Sequence, residues 1–494
     1  MALPAGSQHS VRPPQRLSIG AIVCLVLAPP AAFADGPSAA AAEPRPPVFA
    51  LSHREPNSAP AFANESSLRR LPPLAETIGF PTESGRGETL NEAWAFAEAA
   101  DTQLQAARLM VLAHAESRRA AQALRSPHVS IGSSYNVRTD EQSVVIPPPA
   151  PLASPTSFPF VQDEGAALGG LVNVPLYTSG RIASAIDAAQ CAEASAEEVV
   201  QSIHLDLKLA VAASFLAVLE SKQILHTAEK SLQSLKTHLA NVEQLHGSDV
   251  APLTDLLDAR AAVADARQRH LSAGNELLLA EAEYNRRVGR PLTSPVSLQE
   301  PSIENVSGDL QSLLDAARGK RSELAQIDFE AEALRNKAES IEATNRPHVF
   351  LGGTYWFEEN RYRTPEGIGT LGVTALWNIY DGRHNAYQGA AYLQEAAALK
   401  CRRSGLSQEI ELEIHRAWLK RAEHLQLIEE TAEAVRLAEE NANNVQQRYR
   451  VGMATNAEVL AAETTRIQSL ERLHRARYGA ILAELKLRRA AGIL

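Results

Sequence analysis

The chain has 494 residues, 48 basic against 58 acidic side chains and a net charge of −10; hydrophobic residues make up 45% of it and aromatic ones only 5%. The acidic balance argues against a nucleic-acid partner, and three cysteines are too few for a disulfide framework. Mean hydropathy is −0.19, and no internal run reaches the ~18–20 consecutive apolar residues of a membrane-spanning helix.

Residues 1–34 read as a secretory signal peptide. Arg12 and Arg16 precede an apolar stretch from Leu17 to Ala28, and Ala32-Phe33-Ala34 forms a cleavage pattern before Asp35. An uncleaved anchor fits less well, because the apolar stretch is short and broken by Pro29-Pro30. Cys24 follows Ile22-Val23 rather than a small residue, which argues against lipidation. Residues 35–89 are rich in Pro, Ala and Ser, an extended lead-in without periodicity.

From Leu90 to Leu124 good helix formers dominate, and Pro127 stops the helix. Val129, Ile131, Tyr135 and Val137 then alternate with smaller residues, predicting a strand over about 127–138. Six prolines between Pro147 and Pro159 predict a loop that cannot pair in a sheet. A second strand follows at about 166–177, and Gly180-Arg181 opens a helix to about Leu245, roughly 100 Å long at 1.5 Å per residue. Val218, Leu225, Leu232 and Leu239 recur every seven residues in it, the spacing of coiled-coil packing. A turn at Gly247–Pro252 leads to a returning helix, Leu253 to Val288, and residues 291–309 are a linker.

The order then repeats: helix 310–345, strand 347–362, the turn Thr364-Pro365-Glu366-Gly367, strand 368–380, a long helix from Gly382, the turn Val451-Gly452-Met453 and helix 455–490. Pro127-His128-Val129 recurs as Pro347-His348-Val349, an offset of 220, and Gly289 recurs as Gly492, an offset of 203. A unit of about 200 residues exceeds solenoid repeats of roughly 20–50, so residues 90–290 and 310–494 read as two copies of a half-domain.

Four strands cannot close a barrel, and open sheet edges invite uncontrolled pairing or, in a bilayer, are not permitted. Three chains would supply twelve strands and close the ring. Tyr135, Tyr177, Tyr355, Trp356, Phe357, Trp377 and Tyr380 fall in or beside the strands and suit the aromatic girdles of an outer-membrane barrel. Aromatic pairs in an ordinary soluble sheet explain them equally well; secretion and the helix length favour the membrane.

With this element order, doubled, the chain resembles the TolC family of outer-membrane efflux proteins over roughly residues 90–494. The resemblance also rests on the strand-to-helix junctions Val174-Pro175-Leu176-Tyr177-Thr178-Ser179-Gly180-Arg181 and Trp377-Asn378-Ile379-Tyr380-Asp381-Gly382-Arg383, and on the hairpin tips. It implies a mainly α, duplicated fold whose coiled-coil helices form an α-barrel, with a small β part that joins a trimeric, twelve-stranded membrane barrel. It further implies a homotrimer in the outer membrane of a Gram-negative bacterium, in contact with its lipid, with a long periplasmic extension. A periplasmic adaptor protein and an inner-membrane transporter would be its partners in a tripartite efflux or type I secretion system. The family commonly has two glycines at the second junction, where this chain has Gly382 and then Arg383.

By the same resemblance, the tips Val451, Gly452 and Met453, with the more divergent Gly247 and Ser248, would dock the adaptor. Glu458, with Asp255 and Asp258 in the first half, would form a pore constriction, to which Glu463 is a possible contributor because Ala461 replaces a common aspartate. Tyr449 and Asp255 match a pair that latches neighbouring coiled coils shut, while the latch arginine is replaced by Ala454. Gly247 and Gly452 also suit plain helix C-caps.

The fourteen histidines contain no H-x-x-x-H or H-E-x-x-H pair, and there is no phosphate loop or G-x-S-x-G; no metal, cofactor or catalytic group is expected. Cys191 and Cys401 are expected at buried helix positions. The different-class alternative is a secreted, soluble coiled-coil scaffold without a pore. Within the channel class, drugs, metal ions and proteins all remain open as substrates.

Overall fold

A computed structural model describes residues 87–147, 156–302 and 309–494. The signal peptide and nearly all of the lead-in lie outside the described residues, as does part of the linker. In chain order the elements are α1 (Leu90–Ala100), α2 (Thr102–Ala123), β1 (His128–Val137), β2 (Gln142–Ile146), β3 (Thr156–Val161), β4 (Glu164–Tyr177), α3 (Arg181–Gly247) and α4 (Leu253–Arg287). They continue with α5 (Leu310–Lys320), α6 (Ser322–Ala343), β5 (His348–Glu358), β6 (Gly367–Leu376), α7 (His384–Arg450) and α8 (Asn456–Ala490). The helices pair by length: α1 and α5 have 11 residues, α2 and α6 have 22, α3 and α7 have 67, α4 and α8 have 35.

Two expected helices are broken. Asp101 ends α1 and starts α2, with extended backbone (φ −69°, ψ 117°) and its carboxylate accepting from the Leu104 amide at 2.7 Å. A carboxylate that caps an N-terminus competes with helix continuation, which residue-by-residue helix propensity does not register. Arg321 breaks α5 from α6 by another route: its guanidinium reaches the carbonyls of Arg489 (3.4 Å) and Ala490 (3.0 Å), capping the end of α8. Beside each break sits a glycine in the left-handed region. Gly289 (φ 75°) lies where a Cβ would come within 2.3 Å of the Ala100 Cβ, and Gly492 (φ 71°) where one would meet the Lys320 carbonyl at 3.0 Å.

The sheet runs β1-β4-β5-β6, every pair antiparallel, with β1 and β6 at its edges. The register puts Ile131 opposite Gly170, Gly170 opposite Tyr355, and Tyr355 opposite Gly369. One face therefore carries Val129, Ile131, Tyr135, Leu168, Val172, Leu351, Tyr355, Leu371 and Val373. The other carries mainly small and polar residues, among them Ser130, Gly132, Ser134, Thr354, Thr370 and Gly372. Ile131 and Leu371 are 78% and 79% exposed, so the apolar face is bare in the single chain. Trp356 departs from the girdle reading: it stands on the opposite face, against Gly169, where a Cβ would come within 2.4 Å of its ring.

The proline-rich stretch also differs from expectation. β3 pairs with β2, and Pro159 itself faces Ser143. A register shift between Gln142 and Ser143 leaves Phe160 unpaired there, and a bulge is one of the few places a sheet accepts proline. This ribbon is tied to the β5–β6 turn by Arg361 and Tyr362 on Glu141, and by Asn360 Nδ2 on the Phe160 carbonyl at 2.9 Å.

The largest core cluster joins α1, α2, α3, α4 and α8 through Ala97, Leu104, Val211, Phe215, Tyr284 and Leu485, among others. Its α3 members belong to the one described helix long and apolar enough by composition to cross a membrane, and half of that helix's most apolar stretch is buried. Cys191 is half-buried, whereas Cys401 is exposed on α7, contrary to the expectation for it.

Alanine at position 289 must overlap Ala100 while holding a left-handed backbone, at a cost of about 1–3 kcal/mol. Gly274, inside α4, has nothing within 4 Å of a Cβ, so alanine there should add about 0.5–1 kcal/mol. Thermal unfolding of Gly289→Ala and Gly274→Ala should move the midpoint in opposite directions.

Candidate functional site at the helical hairpin tips

Both hairpins reverse by the same backbone device. In the first, the Val250 amide donates to the Leu245 carbonyl at 2.9 Å; in the second, Met453 donates to Arg448 at 2.8 Å. The left-handed residues are Asp249 (φ 57°) and Gly452 (φ 72°). Gly452 thus takes the place expected of a C-cap glycine, but Gly247 does not. It is the last residue of α3, Ser248 is the C-cap, and Asp249 supplies the left-handed turn. The reason is chemical, since aspartate is one of the few non-glycine residues that tolerate this conformation.

Val250, Val451 and Met453 are 70%, 67% and 69% exposed, so each tip presents apolar side chains to solvent. Ser248 Oγ donates to the Gln244 carbonyl at 3.0 Å, and Arg448 Nη2 donates to the Met453 carbonyl at 2.8 Å, bracing the turns from behind.

The acidic residues are disposed unequally. Glu458 is exposed and forms a capping box with Thr455: its amide donates to Thr455 Oγ1 at 3.3 Å, and its carboxylate accepts from the Thr455 amide at 3.3 Å. Asp258 is exposed and Asp255 half-buried, both in the first turns of α4. Glu463 faces inward; it is buried and paired with Arg466 at 2.6 Å. Its charge is therefore already answered within the chain.

Tyr449 is buried in a cluster with Val242, Leu256, Ala259, Val445, Val459 and Ala462, which gathers all four tip helices. Its ring centroid lies 5.0 Å from that of His238 at an interplanar angle of 59°. His238 and Asn456, both buried polar residues, escaped the motif reading; comparing the halves at the 203 offset pairs them with Asn441 and Leu253, and that mismatch was the available signal.

At the other end, the junction glycines are not equivalents. α3 starts at Arg181 behind Ser179 (φ 48°) and Gly180 (φ 90°), and α7 at His384 behind Gly382 (φ 69°) and Arg383 (φ 67°). Arg383 therefore occupies the place of Gly180, and Arg181 and Arg383 play different parts: one begins a helix, the other caps one.

Burial, with the Asp255 carboxylate adding to it, raises the Tyr449 phenol above its ordinary 10.0. The folded tip then holds the phenolic proton more tightly than the unfolded chain does. Its contribution to stability is whole below pH 10 and is lost as pH rises through the raised value. An ultraviolet titration of wild type minus Tyr449→Phe should show this tyrosine ionising above pH 10, with the tip loosening in step. Ionisation at or below 10 would contradict the buried placement.

Residues 96–289 match the sequence profile of the family described as Outer membrane efflux protein. A comparison with curated proteins finds no match. Among solved structures, the chain is similar to the outer membrane protein VceC of Vibrio cholerae (TM-score 0.67, 20% identity, covering 82% of this chain and 96% of that one). It is similar to CusC (0.69, 17%, 84% and 95%) and to the open state of the MtrE outer membrane channel of Neisseria gonorrhoeae (0.65, 14%, 82% and 88%). These identities carry the fold, and the profile match covers most of the first half of the chain. Residues 96–289 thus carry this family's sequence profile, and the chain has the fold of these outer membrane channels, as the resemblance to TolC-type proteins implied.

Proposed function

We propose that this protein is the exit duct of a tripartite efflux or type I secretion system, conducting substrates passively across the periplasm and outer membrane. The observation that carries the reading is a four-stranded sheet with one bare apolar face and two unpaired edges, continued by helices of about 100 Å. Three chains close the edges into a twelve-stranded barrel facing lipid, and their helices line one conduit. An inner-membrane transporter supplies the energy, so the chain needs no nucleotide site or catalytic group. A soluble scaffold gains nothing from an apolar sheet face that is 78–79% exposed at Ile131 and Leu371.

In this reading the exposed apolar tips, Val451, Gly452 and Met453 with Gly247 and Ser248, dock a periplasmic adaptor. Glu458, Asp255 and Asp258 line the constriction at the closed end, where acidic rings favour cations. The inward pairing of Glu463 with Arg466 supports a ring to which the second half gives one carboxylate per chain. Tyr449 and Asp255 shape the latch.

Detergent-extracted protein should have the mass of a trimer, fractionate with the outer membrane and show a small, cation-selective conductance in planar bilayers. Replacing both Tyr449 and Asp255 with alanine should raise that conductance. A soluble monomer without conductance would leave the scaffold reading standing, and an unchanged conductance in the variant would count against the latch.

A further inference from the structure

Inside the tip, one polar bridge crosses between the halves of the chain. His238 on α3 is 3% exposed, and its Nε2–H donates to Asn456 Oδ1 at 2.7 Å. Asn456, the first residue of α8, is 2% exposed, and its Nδ2 donates to the backbone carbonyl of Asp255 on α4 at 3.2 Å. One buried amide therefore ties the start of α8 to α3 and α4 together. Buried polar groups of this kind cost more when unmade than they contribute when made, so the bridge specifies a single docking of the second hairpin on the first.

The duplication supplies an internal control. Where the second half has Asn456 the first has Leu253, which is 57% exposed, and where the first has His238 the second has an exposed Asn441. The bridge is therefore no consequence of hairpin geometry, which both halves share. Beside it lies a cavity of about 380 Å³, lined among others by His238, Gln446, Glu439, Glu463 and Arg466. Side chains of the same chain do not fill the space next to the bridge, so within the protomer no packing other than the bridge holds His238 and Asn456 on that side. The ring of Tyr449 rests on that of His238.

We propose that His238 and Asn456 form a lock within each protomer that holds the α7–α8 tip against α3 and α4 and sets the position of Tyr449. The inference rests on the exit-duct reading. His238 is a positioning residue, acting through Tyr449 and through the placement of α8. Loss of one buried hydrogen bond should shift the closed-to-open ratio by roughly fivefold.

The test is the fraction of time purified trimers spend open in planar bilayers, with assembly checked by mass. Asn456→Leu, which installs the side chain of the matching first-half position, and His238→Ala should each raise the open fraction roughly fivefold. The double variant should open no more than Asn456→Leu alone, because that change already removes the bond His238 makes. His238→Gln keeps an N–H donor and should stay close to wild type. If Asn456→Leu does not assemble, Asn456→Ser, too short to span the gap, gives the same reading. An assembled Asn456 variant with the wild-type open fraction, or a double variant in which the single effects add, overturns the lock. Wild-type trimers that insert without conducting overturn the exit-duct reading itself, a result distinguishable from either.

Discussion

The free edges of the sheet govern the rest of the architecture. β1 and β6 each end the hydrogen-bond ladder, yet the side chains beside them are apolar and exposed. In water such an edge would aggregate; in lipid its unpaired amides and carbonyls would each cost several kcal/mol. Pairing with further copies of the chain, as in the proposed trimer, removes both penalties. Because each long helix continues directly from a strand, closing the sheet also fixes the order of helices around the axis. The exposed leucines on α2 (Leu109, Leu112) and α7 (Leu412, Leu419) are apolar surface that the proposed assembly of several copies has to cover.

The turn from strand to helix sets how faithfully the barrel hands its geometry to the helices. Each junction uses two successive left-handed residues, and one in each pair is not glycine: Ser179 in the first, Arg383 in the second. A left-handed arginine costs roughly 1–2 kcal/mol. Local hydrogen bonds offset this. The Asp381 carboxylate accepts from Asn345 Nδ2 at 2.9 Å and from the Asn385 amide at 3.0 Å, while Trp377 Nε1 donates to the Asn345 carbonyl at 3.1 Å. A glycine is dispensable at Arg383 because the strained backbone is held from both sides.

Periodicity and the internal repeat made most of this fold readable in the sequence. Strand and helix periods place the sheet and the long helices, and the two offsets place their equivalents. What escaped the reading is tertiary. The break at Asp101 depends on a side chain preferring to cap rather than continue, and the pairing of Pro159 depends on a bulge at the next residue of its own strand. Gly247 carried the strongest local C-cap signal near the first tip, but the shared turn geometry assigned the left-handed place to Asp249, two residues on. Likewise the Gly-Arg pairs at the junctions look equivalent in sequence but stand one residue out of register, because helix length rather than motif sets the correspondence. At the tips the inward turn of Glu463 was not legible, since its pairing with Arg466 and its burial depend on how the helices pack, whereas Glu458 carries the local Thr455-x-x-Glu458 capping signature.

The two tips have solved the same turn with different chemistry. α8 begins with a capping box, while α4 begins at Pro252 without a side-chain cap. The second tip is thus the better organised locally, and it is also the one whose carboxylate stands exposed at a helix N-terminus. There the helix dipole favours the negative charge, and the cap that stabilises α8 also fixes the Glu458 carboxylate in place. Fold and charge can still be separated at this residue. Glutamine at 458 keeps the capping box, which needs only a side-chain oxygen, but removes the charge. An effect of that change on ion selectivity without an effect on stability identifies the carboxylate as part of the conducting path. Loss of stability alone identifies it as a cap.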